Sequence, residues 1–553
     1  MSRPAPKPPF GDACPISSLT SMNPMEWDKE MERSGYRASE PAQYTRIING
    51  ILNGVDVEFT GDRSISRTGA NLPVEGVNIA KVSAVIAEDV RTGKKAGPFD
   101  SPPFPIFNVS PIGCVPKKDS DKIRVIHHLS YPFKGDSINE SVVEEYLPLS
   151  RFADAAEAVR RLGRGCFLIK LDVEAAYKQV PVRREDWPLL GFRWQGKYYY
   201  ERVLPFGLKS SCRLWDWYAA ALHYFFQQRG IDVVIHYIDD FLFVIEVREH
   251  ALAMRDEALA LCETLGIPMA ANKTEGPCHR LTFLGVELDT DAMRARLPDS
   301  KLANLKRLTA YWGSKTSTTV KELQSLAGVL QFATYVVRPG RFFVASIWDQ
   351  IKRQEKASNN RHEAWPVAAS IHADVAWWAE FTADWNGISL LCDLEWSKAE
   401  RIELFTDACM EGYGALFGRE WFASKWSSAE IAAANRKKRV SMPFFELYAL
   451  VTAAATWGHQ WTGKRITFRC DCMPVVQCLN SGHSDDPGMM SLLRHFCLLA
   501  CRSQFDFRCE HIPGVLNRAA DILSRDGPSQ EFRALCPLAN ERPVIAILPP
   551  LRA

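Results

Sequence analysis

The chain has 553 residues, 46% hydrophobic and 24% charged, with 67 Lys and Arg against 65 Asp and Glu for a net charge of +2; it is too long for one core and suits three or four domains, with no global basic field to announce nucleic acid. The 15 cysteines never form Cys-x-x-Cys, the nearest approach being Cys470-x-Cys472, which speaks against a zinc module and for reduced thiols. The start, MSRPAPKPPF, lacks a continuous apolar stretch and no run of about 18 apolar residues follows, so the expectation is no signal peptide, no membrane span and a cytoplasmic or nuclear protein.

Residues 1–80 carry scattered Pro, Gly and polar residues, one short helix around Ala42–Leu52 and no chemistry that can be assigned. From 81 to 290 short β-rich runs alternate with helices. In CFLIKLDVEAAYKQVPV, Phe167, Ile169 and Leu171 share one strand face, while Leu168, Lys170 and Asp172 share the other, so an acid stands at the strand end. In IDVVIHYIDDFLFVIE, Asp239 and Asp240 lie between two β-branched and aromatic runs, which predicts a hairpin with adjacent acids at its tip. An Asp-Asp pair alone is as often a solvated turn as a site. Two apolar strands delivering acids to one end form a better case, because gathered carboxylates repel unless hard cations sit between them.

Residues 291–395 read mainly as helix, including Thr319–Thr334 and an aromatic stretch of Trp377, Trp378, Phe381 and Trp385 spaced for one buried helical face. A second β-then-α pattern fills 396–526. RIELFTDACMEGYGALF ends a strand at Asp407, with Glu403 and Phe405 on its face and Gly412 and Gly414 suited to a tight turn into the next strand. FELYALVTAAATWGHQW is a helix with Glu446 near its N-terminus and an apolar side of Leu450, Val451, Ala454 and Trp457. KRITFRCDC is a strand ending at Asp471, and FDFRCEHIPGVLNRAADILSR runs from strand through a Pro-Gly turn into a helix bearing Asp521. Any one of these acids could be a cap or a surface group; four arriving from different elements are harder to explain so. The tail, 527–553, reads as irregular.

The ordered set resembles the reverse transcriptases of retrotransposons over about residues 105 to 525. Asp172 in LDVEAAY, then LPFGLKSS, YIDD, KTEGP and LTFLGVEL are similar to successive palm motifs, and VPKKDSDKIRVIHHLS is similar to the fingers segment that closes on a nucleotide. HIPGVLNRAAD, with His511 and Asn517 ahead of Asp521, is similar to a ribonuclease H motif; HHLSYP and WNG resemble the DIRS-like group that carries a tyrosine recombinase.

The resemblance implies an α+β multidomain chain: an N-terminal extension (1–80), fingers and ferredoxin-like palm (81–290), a helical thumb or connection (291–395), an α/β ribonuclease H-like domain with a mixed sheet (396–526) and a tail (527–553). It implies copying of RNA into DNA at Asp172, Asp239 and Asp240, and RNA cleavage in hybrids at Asp407, Glu446, Asp471 and Asp521, with His511 moving protons or easing product release. Each site is expected to hold two Mg2+ ions, with Mn2+ as a substitute. Lys117 and Arg124 would hold the triphosphate, and Tyr177 would exclude a ribose 2′-hydroxyl. Phe206 would lie by the sugar, Gly207 would let backbone approach template or nucleotide, Lys273 would protonate pyrophosphate, and Phe283, Leu284 and Gly285 would grip the primer. The run Arg436, Lys437, Lys438, Arg439 is either a grip on hybrid phosphates or a solvated loop. Expected partners are RNA template, DNA primer, RNA–DNA hybrid, deoxynucleoside triphosphates and other retroelement proteins (capsid protein, recombinase or integrase), with no membrane. The alternative reading is a domesticated or inactive copy that only binds nucleic acid.

Overall fold

The structure is a computed structural model that describes residues 15–116, 121–132, 135–389, 396–397, 404–436, 439–545 and 547. It is a mixed α/β chain of two compact units, Met1–Leu281 and Thr282–Ala553. Among the described residues no helix is long and apolar enough to cross a membrane.

The first unit is centred on an antiparallel sheet ordered Val233–Tyr237, Asp240–Ile245, Phe167–Asp172, Glu275–Cys278. Its strands are Val-, Ile- and Phe-rich, and the helices Ser211–Gln228 and Arg248–Leu265 pack against it. Apolar residues from Ile16 to Phe59 belong to this core. The Pro24–Arg33 helix starts with Asn23 accepting from Met25 N and Glu26 N, and with Pro24 at its first turn, where a missing N–H costs nothing. Its Trp27 is fully buried, packs edge-on to Tyr218 at 5.8 Å and donates from Nε1 to Leu265 O at 3.1 Å. Glu30 pairs with Arg229 at 2.6 Å, both side chains over nine-tenths buried. The expected helix near 42–52 is there as Pro41–Asn53, burying Ile47 and Ile51. The helices Pro24–Arg33 and Val77–Arg91 were not legible as such. A smaller apolar cluster gathers Val82, Ile86, Ile112, Ile123, Phe192 and Trp194.

In the second unit, four helices (Asp299–Gly313, Val320–Ala333, Ala345–Ala357 and Ala369–Asp384) fill the region read as helical. Thr319 and Glu322 form the reciprocal capping box that starts Val320–Ala333. Trp377, Trp378 and Phe381 are buried as expected, but Trp385 is not on their helix. It is the extended residue after the last turn, and reaches Phe381 by folding back to 4.7 Å between rings.

The remainder of this unit has an antiparallel trio, Leu404–Ala408, Gly412–Phe417 and Glu420–Lys425, and a parallel pair, Arg465–Cys470 with Asp506–His511. The Met442–Trp457 helix packs against the trio on one side and the Pro487–Arg502 helix on the other, so it is buried nearly all round rather than along one apolar side. Two further expectations are corrected. Gly412 and Gly414 are not in a turn but within a strand; a Cβ on Gly414 would lie 2.5 Å from Leu523 Cβ, so the missing side chain lets the Arg518–Asp526 helix press onto the sheet. The tail is not wholly irregular: the Gln530–Leu535 helix buries Phe532 against Trp421, and Asn540–Glu541 adds a parallel strand beside Glu420–Lys425.

Candidate active sites

In the first unit the register Asp172↔Asp240 puts the two acids on neighbouring strands, and Val173 N donates to Asp239 O at 2.9 Å, which ties the hairpin tip to the adjacent strand end. The tip is strained. Ile238 has φ +57, a left-handed conformation that a β-branched residue rarely adopts, and Trp215 Nε1 holds it by donating to Ile238 O at 2.8 Å. Burial and the nearby Asp172 charge push the Asp239 carboxyl above its ordinary value, and burial pushes Asp240 up to about 6 against the pull of Lys170. Lys273, in the short Ala271–Lys273 turn, lies 2.8 Å from both oxygens of Asp172, and its ammonium is held in the charged form by the three acids.

Beside this cluster the Tyr177 and Phe206 rings face each other at 5.2 Å, and the Arg124 guanidinium lies 5.8 Å from the Phe206 ring. Gly207 has φ +110, and a Cβ there would lie 2.0 Å from His127 O, so only glycine fits. Asn139 fixes the same loop, donating to Gly207 O at 2.8 Å and accepting from Lys209 N at 2.9 Å. Burial and a hydrogen bond to Cys212 hold the Tyr177 hydroxyl far above its usual range. Asn139, Trp215 and Cys212 were not singled out in the sequence. Asn139 lies 70 residues from the Lys209 it supports, too far for a local pattern. Lys117 lies outside the described residues. Phe283, Leu284 and Gly285 belong to the second unit, where Leu284 (φ +47) and Gly285 (φ +76) make the turn after the Arg280–Phe283 strand and Lys301 Nζ donates to Gly285 O at 2.8 Å.

The second cluster is assembled from four elements. Asp407 comes from the Leu404–Ala408 strand, Glu446 from the Met442–Trp457 helix, Asp471 from the end of Arg465–Cys470 and Asp521 from Arg518–Asp526. Burial, with repulsion from Asp471 and Asp521, pushes Asp407 up to about 6 although Ser524 Oγ donates to it at 2.5 Å. Burial and the charges of Asp407 and Asp471 push Glu446 up to about 9. Asn517 donates to Thr406 O at 2.9 Å and reaches Asp471 Oδ1 at 3.5 Å, so the predicted motif asparagine ties the helix entry to two acid-bearing strands. Arg525 is paired with Asp521 at 2.7 Å. His511 is exposed at the end of its strand, in register with Cys470. Ser524 could have been found from its spacing: three residues after Asp521, it shares that helical face. Glu403, Lys437 and Lys438 lie outside the described residues, as do the side chains of Arg436 and Arg439.

Both clusters have the donor chemistry for a hard divalent cation. In the second, a Glu446 oxygen, Cys470 Sγ and an Asp471 oxygen lie within 4.8 Å of one another. Glu446 Oε2 is buried with no hydrogen-bond partner among the described residues. An orphaned, nearly buried carboxylate oxygen is costly, and a cation bound there would satisfy it. Cys470 is a soft donor in an otherwise hard set.

Residues 115–288 match the reverse transcriptase (RNA-dependent DNA polymerase) family. The matched segment is less than half of the chain. It carries Asp172, Asp239, Asp240, Tyr177 and Lys273. Over more of its length the chain is similar to viral polyproteins. It is 24% identical over 389 residues to polyprotein P3 of Commelina yellow mottle virus, covering 66% of this chain and 18% of that polyprotein. It is 24% identical over 363 residues to the enzymatic polyprotein of carnation etched ring virus, covering 64% and 50%. The chain thus spans half or less of the length of these relatives. Among solved structures, the foamy viral protease–reverse transcriptase in complex with an RNA/DNA hybrid is similar at a TM-score of 0.46 and 14% identity, over 82% of this chain and 56% of that one.

Proposed function

We propose that this reverse-transcriptase-related chain is a retrotransposon RNA-directed DNA polymerase that also degrades the RNA strand of RNA–DNA hybrids. The observation that carries the reading is the convergence of Asp172, Asp239 and Asp240 at one strained strand end beside the Tyr177–Phe206 pair. Asp172 and Asp239 would hold two Mg2+ ions with support from Asp240, and Asp407, Glu446, Asp471 and Asp521 would hold a second pair. When bound, the ions supply Lewis acidity that activates the attacking oxygen and stabilises the leaving one.

The protein's own groups do the rest. Lys117 and Arg124 bind the triphosphate. Tyr177 occupies the space a ribose 2′-hydroxyl would need, so deoxynucleotides are preferred. Gly207 lets backbone approach the substrate. Lys273, a charged ammonium lying on Asp172, is placed to release its hold and donate a proton to pyrophosphate. Phe283, Leu284 and Gly285 shape the primer contact. In the second site His511 stands exposed to carry protons or ease release of the cut strand. Affinity for RNA template, DNA primer and hybrid comes from phosphate contacts and falls steeply with salt. HHLSYP and WNG favour the DIRS-like group within the family.

The test is primed poly(rA) with labelled dTTP and the full chain, with and without Mg2+. Magnesium-dependent synthesis is expected; its absence with correctly folded protein overturns the reading.

A further inference from the structure

Joined to Tyr177 through its chain neighbour Lys178 is a charge network that the proposed chemistry does not use. Lys95 Nζ lies 2.7 Å from both oxygens of Glu201 and 3.0 Å from Asp89 Oδ2, and all three side chains are over nine-tenths buried. The second Asp89 oxygen accepts from Lys178 Nζ at 2.5 Å. The four groups come from four elements: the Val77–Arg91 helix, the Lys95–Phe99 and Lys197–Glu201 strands, and the Ala176–Gln179 turn. Two cations against two anions make the set neutral. Burying four charges is costly unless each is paired, so such a set has essentially one arrangement.

Lys178 is the network's outer member, with a quarter of its side chain exposed, and it is the neighbour of Tyr177. The turn that carries both begins at Ala175, whose φ of +49 is left-handed. A non-glycine residue held there needs fastening from outside the turn. Besides the hydrogen bond between the Tyr177 hydroxyl and Cys212, the described residues fasten the turn at two places. At its far end Gln179 donates to Glu174 O at 3.0 Å and accepts from Ser21 Oγ at 3.0 Å. Beside the tyrosine, Lys178 is tied to Asp89. The opposite wall adjoins the same network: burial, with the Lys95 charge second, depresses the protonation of His127, and His127 N donates to Phe206 O at 2.9 Å.

We propose that Lys178 and Asp89 are positioning residues for sugar selection: their ion pair, seated on the buried Lys95–Glu201 pair, fixes the turn that carries Tyr177 and so sets how closely its ring approaches the nucleotide's sugar. This rests on the polymerase reading above and names the residues that regulate its substrate choice. A loosened turn lets the ring retreat, and a ribonucleotide then fits.

The experiment compares dATP with ATP on primed poly(rU) in the full chain, measuring kcat and KM for each. Lys178→Met is expected to raise the ratio of ribonucleotide to deoxynucleotide kcat/KM by about tenfold, the size of a modest change in pocket fit, chiefly through KM. Asp89→Asn, which keeps an acceptor for Lys178, moves the ratio less, and Lys178→Arg restores it. Equal losses for both nucleotides with an unchanged ratio in Lys178→Met and Asp89→Asn would mark the network as merely structural and overturn the inference. Tyr177→Ala separates the two readings. A raised ratio in Tyr177→Ala with none in Lys178→Met removes this inference alone, whereas no change in Tyr177→Ala removes the tyrosine gate and this inference together. Should Lys178→Met fail to fold, the ratios of Asp89→Asn and Lys178→Arg decide.

Discussion

In the first unit an ammonium lies on the carboxylate cluster, with Lys273 on both oxygens of Asp172; in the second, among the described residues, no Lys lies on the acids and Arg525 alone pairs with one of them, the half-exposed Asp521. The outcome differs accordingly. Asp240, with Lys170 and Lys273 near, is pushed up to about 6, whereas Glu446, among acids and with one oxygen orphaned, is pushed up to about 9. Lys273 sits on the acids of the first cluster as a charged ammonium, whereas burial and the charges of Asp407 and Asp471 favour the protonated form of Glu446 in the second. On the proposed reading, a metal would have to compete with Lys273 in the first site and with the Glu446 proton in the second.

The sharpest break in this comparison removes one acid from each site. Asp239→Asn is expected to reduce DNA synthesis on primed poly(rA) by about 10²–10³ while hybrid cleavage persists, the rate that one preorganised electrostatic group is worth. Synthesis that survived the change would disprove the assignment. The converse, Asp471→Asn, should lower RNA cleavage by about 10²–10³ with synthesis retained, read from labelled RNA in a preformed hybrid.

The proton-holding character of the second cluster can be read without activity. The Glu446 pKa rises from 4.5 to about 9 on folding, so the folded state binds the extra proton and stability falls as pH climbs through that window. In EDTA the melting temperature of the second unit should drop by roughly 5–10 °C between pH 5 and pH 9. Mg2+ should recover most of that loss at pH 9, and Glu446→Gln should flatten the dependence. A melting temperature independent of pH in EDTA would contradict the buried, orphaned geometry of Glu446.

Lys273→Met sharpens the other side. With the competing ammonium gone, the Mg2+ concentration giving half-maximal synthesis should fall by about threefold, while the maximal rate drops by roughly 10²-fold if the lysine donates a proton. The smallest effect is steric. Gly414→Ala would push Leu523 and the helix bearing Asp521 off the strand, destabilising the second unit by about 1–3 kcal/mol and slowing cleavage several-fold without touching synthesis.

The acids themselves were legible because their surroundings are local: apolar strands that end at Asp172 and one residue before Asp471, and a hairpin that turns at Ile238 and Asp239 with Asp240 opening the return strand, follow from alternation within a few residues. What holds them was mostly not. Trp215 reaches Ile238, Asn139 reaches Gly207, and Glu30 reaches Arg229, across intervals that no periodicity spans. Gly412 and Gly414 misled because a glycine in a sequence looks the same whether it turns the chain or admits a neighbour. Only the helix pressed against the strand tells them apart. Trp385 misled similarly, since its spacing fits a helical face that ends one residue before it.

Trp27 donates to a carbonyl 238 residues farther along. During synthesis at about 5–20 residues per second, that indole waits roughly 12–50 s for its acceptor, with its helix unable to bury the apolar face it presents. That hydrogen bond forms only after Leu265 has left the ribosome. A nascent chain stalled before Leu265 would expose a tryptophan-bearing surface to any chaperone or neighbouring ribosome within reach.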